Sequence, residues 1–432
     1  MKRRILLILL AACLGLTACQ GQVSPAAGTP TEPTPGESRK PAEPGAESTA
    51  EGTEQPSEPA ESLPAIPAEE AQGFTALDSG LIAWLQANGL ERESFTVSPL
   101  SVKAALALTA LGAEGETQKQ ILSVLGFANP EELKAWYATV LVGAADFESR
   151  ITGADKAQCA YRVVNALFHN AACDGEFRES YRELAASVLA ARAESWPAEE
   201  LTRAINAWVS DQTDGMIPSI VTDASKSASV LVNALYLKTL WTEPFQAAPE
   251  RSSFTTVDGE TVQKEFIQKT DKFRYYDDGQ TQLVVLPLLG DTELVLVLGE
   301  GGDLSGKLAA AQTCKVHVTL PKFEVETGLE NKELVRYLRS VGCTQMFIDG
   351  GAEFDPMFTE GVYVDDIIHK AKVSVDENGL EAAAATAVIM MRNTALPKPE
   401  QPVEFLADRP FRFLIVREDA APELLFWGQI MD

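Results

Sequence analysis

The sequence predicts a mixed α+β protein with more than one β-sheet. Three observations lead there. Helical spacing of apolar residues dominates the first half of the folded region, and strand-like runs dominate the second. Residues 230–237 (VLVNALYL) form a nearly continuous apolar run, which a strand covered on both faces requires. The chain has 432 residues with 45% hydrophobic content, enough to bury a large core.

The N-terminus reads as a targeting segment. Lys2, Arg3 and Arg4 precede an apolar run, 5–14, that is shorter than the roughly 20 residues of a membrane span. The run ends in Leu16-Thr17-Ala18-Cys19, which resembles a bacterial lipobox. The expectation is a leader over 1–18, cleavage before Cys19, a lipid on its thiol, and export to an extracytoplasmic membrane surface. Residues 19–72 are rich in Pro, Glu, Ala, Gly, Ser and Thr and almost devoid of large apolar residues, so a disordered stalk is predicted. The folded domain is expected over 73–432. The net charge is −26 and scattered, which argues for solubility and against a nucleic-acid partner. Three histidines (His169, His317, His369) leave little for a metal site, and no cofactor is indicated. Cys13 leaves with the leader. Cys159, Cys173, Cys314 and Cys343 remain, and their pairing is open between buried thiols and disulfides.

Each element has its own warrant. Phe74, Leu77, Leu81, Trp84 and Leu85 recur at helical spacing. Ser98 suits an N-cap and Pro99 a first helical position. The helix they start, 100–111, is apolar nearly all round except for Lys103, so it belongs inside the protein. Gly112-Ala113 ends it, and a further helix runs through Leu125. Residues 160–168 (AYRVVNALF) read as a strand, and 177–191 and 199–213 as amphipathic helices. Residues 283–286 and 294–298 look like a buried antiparallel pair. Further strands are predicted over 316–320, 322–326, 370–375, 411–416 and 424–430.

The stretch 376–391 (DENGLEAAAATAVIMM) carries the functional signal. Its alanines favour helix by propensity. By alternation the part from Leu380 to Met391 is a strand, with Leu380, Ala382, Ala384, Thr386, Val388 and Met390 on one face and Glu381, the only charge of that part, on the other. It can slide between two strands with one charge to desolvate. The residues after it, from Arg392 to Pro402, read as exposed, extended chain.

Ten short matches occur in order. They are Ser98-Pro99-Leu100-Ser101; Gly112-Ala113 with Thr117; Asn165-Ala166-Leu167-Phe168; Ile205-Asn206; Asn233-Ala234-Leu235-Tyr236 with Trp241 and Pro244-Phe245; Leu320-Pro321-Lys322-Phe323; His369-Lys370-Ala371; Asp376-Glu377-Asn378-Gly379; Phe405 with Ala407-Asp408-Arg409-Pro410-Phe411; and Phe426 with Gly428. Together they resemble the serpin family over the whole folded part. The resemblance implies one domain of three β-sheets and about eight or nine helices, with an exposed reactive loop. A target serine or cysteine protease cuts that loop and forms an acyl-enzyme. The freed limb then enters the main sheet as a new strand, and the protease is trapped. It implies a monomer, bound to membrane only through its lipid.

The implied loop hinge is Glu377, Gly379, Leu380, Glu381, Ala382, Ala383, Ala384, Ala385 and Thr386. The implied sheet-opening region is Ser98, Ser101, Asn206, His369 and Trp241. Family spacing from Gly379 puts the scissile bond at Asn393–Thr394. Arg392–Asn393 and Met391–Arg392 are the alternatives, and each suits a different protease pocket. Four features depart from the family pattern, one of them Ser94, which stands where the family often has Asn. Leu380 replaces a small or β-branched residue, Thr239 replaces a glycine, and the segment 394–403 is long.

Rival readings are weaker. Gly301-Gly302-Asp303-Leu304-Ser305-Gly306-Lys307 nearly spells a phosphate loop, but Leu308 stands where Ser or Thr must bind metal, so a turn entering a short helix is expected. Enzyme function finds no support. The alternative function is a non-inhibitory relative acting as a surface binding or carrier protein. The uncharged, small hinge argues against it.

Overall fold

The computed structural model describes residues 75–249, 252–299, 301–380, 401–417 and 423–432. The expected leader and stalk, Cys19 and residues 381–400 lie outside them. Among the described residues there are eight α-helices: α1 (Ala76–Leu85), α2 (Pro99–Ala110), α3 (Gly115–Leu125), α4 (Pro130–Arg150), α5 (Glu179–Val188), α6 (Ala198–Gln212), α7 (Leu304–Ala310) and α8 (Glu333–Ser340). The first strands are β1 (Phe95–Val97), β2 (Ala160–Asn170), β3 (Arg192–Trp196), β4 (Ser229–Leu240), β5 (Gln246–Ala247), β6 (Ser252–Thr255), β7 (Thr261–Lys264) and β8 (Phe266–Asp277). Then come β9 (Thr281–Pro287), β10 (Thr292–Gly299), β11 (Gln312–Pro321), β12 (Phe323–Leu329) and β13 (Asp366–Val375). The last are β14 (Gly379–Leu380), β15 (Val403–Leu406), β16 (Phe411–Arg417) and β17 (Glu423–Ile430).

These strands form three sheets. The nine-stranded sheet runs β1-β17-β16-β10-β9-β8-β11-β15, with β5 added beside β8. The six-stranded sheet runs β12-β13-β14-β4-β2-β3, and β6–β7 is a separate hairpin. The expected α+β architecture of three sheets and eight helices is thus found.

Helix α2 sits between the two large sheets and packs on β4, β2 and β17. All twelve of its residues are buried, as its apolar sequence predicts. Ser98 caps it by accepting the Ser101 N–H at 3.2 Å. Lys103, its single charge, is buried against Asp78 at 3.1 Å, the paired arrangement a buried ammonium needs. On the opposite face of the six-stranded sheet, Leu201, Ile205 and Val209 of α6 cover Val230, Val232 and Ala234 of β4 and Ile368 of β13. Strand β4 is therefore covered on both faces. Ile217, Ile220 and Val221, in the loop returning from α6 to β4, extend that cover.

Two long elements were not anticipated. Helix α4 starts at a cap: Asn129 accepts the N–H groups of Glu131 and Glu132 at 3.1 and 3.0 Å, and Pro130 follows. Strand β8 alternates irregularly between buried and exposed residues, which hides its period. The phosphate-loop look-alike is a turn into α7, with Asp303 accepting the Gly306 N–H at 3.0 Å. Cys159, Cys173, Cys314 and Cys343 are free thiols, and only Cys343 is fully buried.

Candidate functional site

Strands β4 and β13 are parallel neighbours for only part of their length. They pair from Asp366↔Val230 to Lys370↔Ala234. Beyond that point β14 enters between them. Leu380 faces Val375 on one side and Thr239 on the other, and Gly379 faces Leu240. The sheet thus has a seam that is joined at its foot and parted at its head. A cavity of about 10 Å³, bordered by Leu237, Val373, Ser374 and Leu380, lies at the head.

At the head, the 376–379 turn is pinned to the end of β4. The N–H groups of Trp241 and Phe245 donate to the carbonyls of Asn378 and Glu377, both at 2.9 Å. The Trp241 indole N–H donates to the Asp376 carbonyl at 2.9 Å. The Asp376 carboxylate accepts the Asn378 and Gly379 N–H groups at 2.7 and 3.2 Å, which closes the turn. Gly379 has φ +155°, and a Cβ there would stand 2.2 Å from the Thr239 carbonyl oxygen. Only glycine lets the chain enter the sheet at this point. Leu380 is 2% exposed, so its apolar side chain is accommodated in the core. Lys322 pairs with Glu377 at 2.5 Å and Glu265 at 3.2 Å. The hydrogen bond that Lys322 donates to the Glu377 carboxylate raises the Lys322 pKa.

At the foot, one polar network crosses the seam beneath α2. The Ser98 backbone N–H donates to His369 Nε2 at 3.1 Å. That nitrogen must accept, so the ring proton sits on Nδ1, which faces Asn233 Oδ1 at 2.7 Å. The Ser101 hydroxyl donates to the same Oδ1 at 2.9 Å. The Asn233 amide in turn reaches the Ile368 carbonyl at 3.4 Å. His369 on β13 and Asn233 on β4 are register partners, so their side-chain bond closes the seam itself. His369 is completely buried, and desolvation pushes its pKa down to about 3. It is neutral at ordinary pH and is spent on structure.

The predicted residues separate accordingly. Ser98, Ser101 and His369 meet at the foot, while Glu377, Gly379, Leu380 and Trp241 meet at the head. Asn206 joins neither. It sits on α6, accepts the N–H groups of Ile220 and Val221 at 2.8 and 3.0 Å, and donates to the Val221 carbonyl at 2.8 Å. It thereby holds the return loop, and the amide of the network is Asn233. An Asn inside an otherwise apolar run was the available signal, because a buried amide needs partners. Lys322 was also not singled out. Glu381, Ala382, Ala383, Ala384, Ala385, Thr386, Met391, Arg392, Asn393, Thr394 and Cys19 lie outside the described residues.

A family profile described as Serpin (serine protease inhibitor) matches residues 82–432. The chain belongs to the serpin family. Serpins are in general protease inhibitors, and some are non-inhibitory. Serpin B6 of Macaca fascicularis is 32% identical over 364 residues, covering 77% of this chain and 91% of the relative. An uncharacterized serpin-like protein of Thermococcus kodakarensis is 29% identical over 354 residues, covering 78% and 80%. The native-state crystal structure of the thermophilic serpin tengpin matches the fold with TM-score 0.71 at 23% identity, over 86% of this chain and 96% of that one.

Proposed function

We propose that this serpin is a suicide-substrate inhibitor of an extracellular serine or cysteine endopeptidase, tethered to the cell membrane through a lipid on Cys19 and a stalk over 19–72. The supporting observation is the two-residue strand β14, which already occupies the head of the seam. Its register defines where the rest of the limb goes. Continuing the ladder from Val375↔Leu380 and Leu380↔Thr239 brings Ala382 level with Val373 and Leu237, and Ala384 level with Ala371 and Leu235. Thr386 comes level with His369 and Asn233. These are the side chains that would enter the face under α2. They are small, and Thr386 offers a hydroxyl where the His369–Asn233 bond has to part. Glu381 falls on the other face, level with Lys238. Fourteen residues, Leu380 to Asn393, span about 46 Å as a strand. That is enough to carry a tethered protease across the domain.

The scissile bond is Asn393–Thr394 on family spacing, with Arg392–Asn393 as the alternative. The test is to mix the full chain with a panel of proteases, then run a denaturing gel and mass spectrometry. A covalent adduct with a released peptide starting at Thr394 or Asn393 is expected, with a rise in thermal midpoint for the cleaved protein. Cleavage with neither adduct nor rise would reject the reading in favour of a surface binding or carrier role.

A further inference from the structure

Below the foot, the chain that leads into β13 closes the bottom of the seam. One end of this strap, at 357–359, is tied beside β2. Phe177 and Phe358 form an antiparallel bridge, and their rings stack at 4.5 Å. The N–H groups of Thr359 and Arg178 donate to the carbonyls of Glu176 and Met357, both at 2.9 Å, and the Arg178 guanidinium donates to the Phe358 carbonyl at 2.9 Å. The Phe358 ring stands 5.4 Å from that of His169, near the end of β2. The other end is tied to Ser229, the first residue of β4. Its hydroxyl donates to the Tyr363 carbonyl at 2.7 Å, and its carbonyl accepts the Asp365 N–H at 3.2 Å. Asp366 then begins β13. The strap therefore passes from β2 across the start of β4 to β13. It lies where a strand running down between β4 and β13 would come out, and residues 360–365 are its slack. Val362 and Val364 within that slack are buried, and Ser229 is 1% exposed.

The register fixes where an entering strand meets the strap. Leu380 lies level with Val375 and Thr239, and the β4–β13 pairing ends at Asp366↔Val230. Strand β13 has ten residues from Asp366 to Val375. An antiparallel limb starting at Leu380 therefore reaches Asp366 and Val230 with Ile389. Met390 comes level with Asp365 and Ser229, where the strap is tied. We propose that the strap sets how deep the limb enters: Leu380 to Ile389 pair between the strands, and Met390 to Asn393 stay outside as the tether to the acylated protease. This rests on the inhibitory reading above. Above the strap the strands can part by one strand width, about 4.8 Å. At Ser229 the same parting has to break both ties. Ser229 is thus a positioning residue for the last step of entry. A tether of Met390 to Asn393 reaches only about 13 Å, which keeps the protease against the strap.

The test is to cut the full chain in its loop, add a carboxypeptidase of broad specificity, and follow the N-terminal fragment by mass spectrometry. Trimming back from Asn393 or Arg392 that halts at Met390 or Ile389 is expected. No trimming would mean that the limb passes the strap, and a halt between Ala382 and Val388 would mean that something else sets the depth; either overturns the inference. Trimming through Glu381 would mean that the limb does not enter, and would reject the inhibitory reading itself. Two variants test the ties. Ser229→Ala removes the bond to Tyr363 and should move the halt at least one residue toward Asn393. Insertion of two glycines after Gly361, an exposed position, touches no tie and keeps the test decisive if Ser229→Ala misfolds. It adds about 6.6 Å of reach, more than one strand width, and should move the halt by about two residues. A halt unchanged in both variants would overturn the role of the strap.

Discussion

The two ends of the β4–β13 seam are built from different chemistry. The foot is dry: Ser98, Ser101, Asn233 and His369 are each at most 1% exposed, and their hydrogen bonds have no solvent to replace them. The head is held by backbone bonds to Trp241 and Phe245 and by the partly exposed Lys322–Glu377 pair. A buried polar network is costly to break one member at a time, whereas a surface ion pair is worth little. The seam is therefore set to part from the head downward, and that is where β14 stands.

The largest expected effect tests the direction of opening. Ala384→Arg would place a charge level with Ala371 and Leu235 under α2. Desolvating it costs several kcal/mol, so covalent adduct formation should fall by at least about 100-fold while cleavage persists. Gel quantification against the unmodified chain decides it, and undiminished adduct would mean the limb does not take this path. Next is the foot. Asn233→Ala leaves the His369 ring N–H and the Ser101 hydroxyl buried without their acceptor, and should cost roughly 2–4 kcal/mol in urea unfolding.

The foot is also pH-sensitive. His369 titrates at about 3 when folded and near 6.5 when unfolded. Below pH 6.5 the unfolded chain takes up a proton that the folded chain refuses. The stability this neutral histidine allows is complete above pH 6.5 and is lost as pH falls toward 3, at up to about 1.4 kcal/mol per pH unit. His169, also lowered mainly by burial, adds to the loss with the same sign. Unfolding of the unmodified chain and His369→Gln at pH 7.5, 6 and 5 should show a shallower slope in the variant. The smallest effect belongs to the head: Glu377→Gln should change stability by less than about 1 kcal/mol, and the difference should shrink further in high salt. A larger loss there would erase the contrast between the two ends.

Sequence patterns revealed what depends on local chemistry. Ser98-Pro99 and the apolar helix after them announced α2, and the apolar run 230–237 announced a doubly covered strand. The turn at Asp376–Gly379 was equally plain. What stayed hidden depends on register. Nothing in the order of residues says that His369 lies opposite Asn233, because the two are 136 residues apart and only strand pairing brings them together. Asn206 shows the converse: assigned to the opening region by resemblance, it serves the return loop, because the helix carrying it faces the other side of the sheet. Helix α4 was missed although Asn129-Pro130-Glu131-Glu132 is a serviceable start signal, since its small and polar residues blur the apolar stripe.

One pairing bears on how the chain reaches this state at all. In the nine-stranded sheet β17 lies between β1 and β16, and the Thr96 hydroxyl bonds the carbonyl of Trp427, 331 residues later. Every strand of the seam is synthesised before that larger sheet can close. During translation the ribosome therefore presents β4, β13 and β14 in advance of the scaffold behind them, and pairings this distant in sequence form slowly. On the proposed inhibitory reading, the order of synthesis bears, as much as the final energies, on when strand entry at the seam becomes possible.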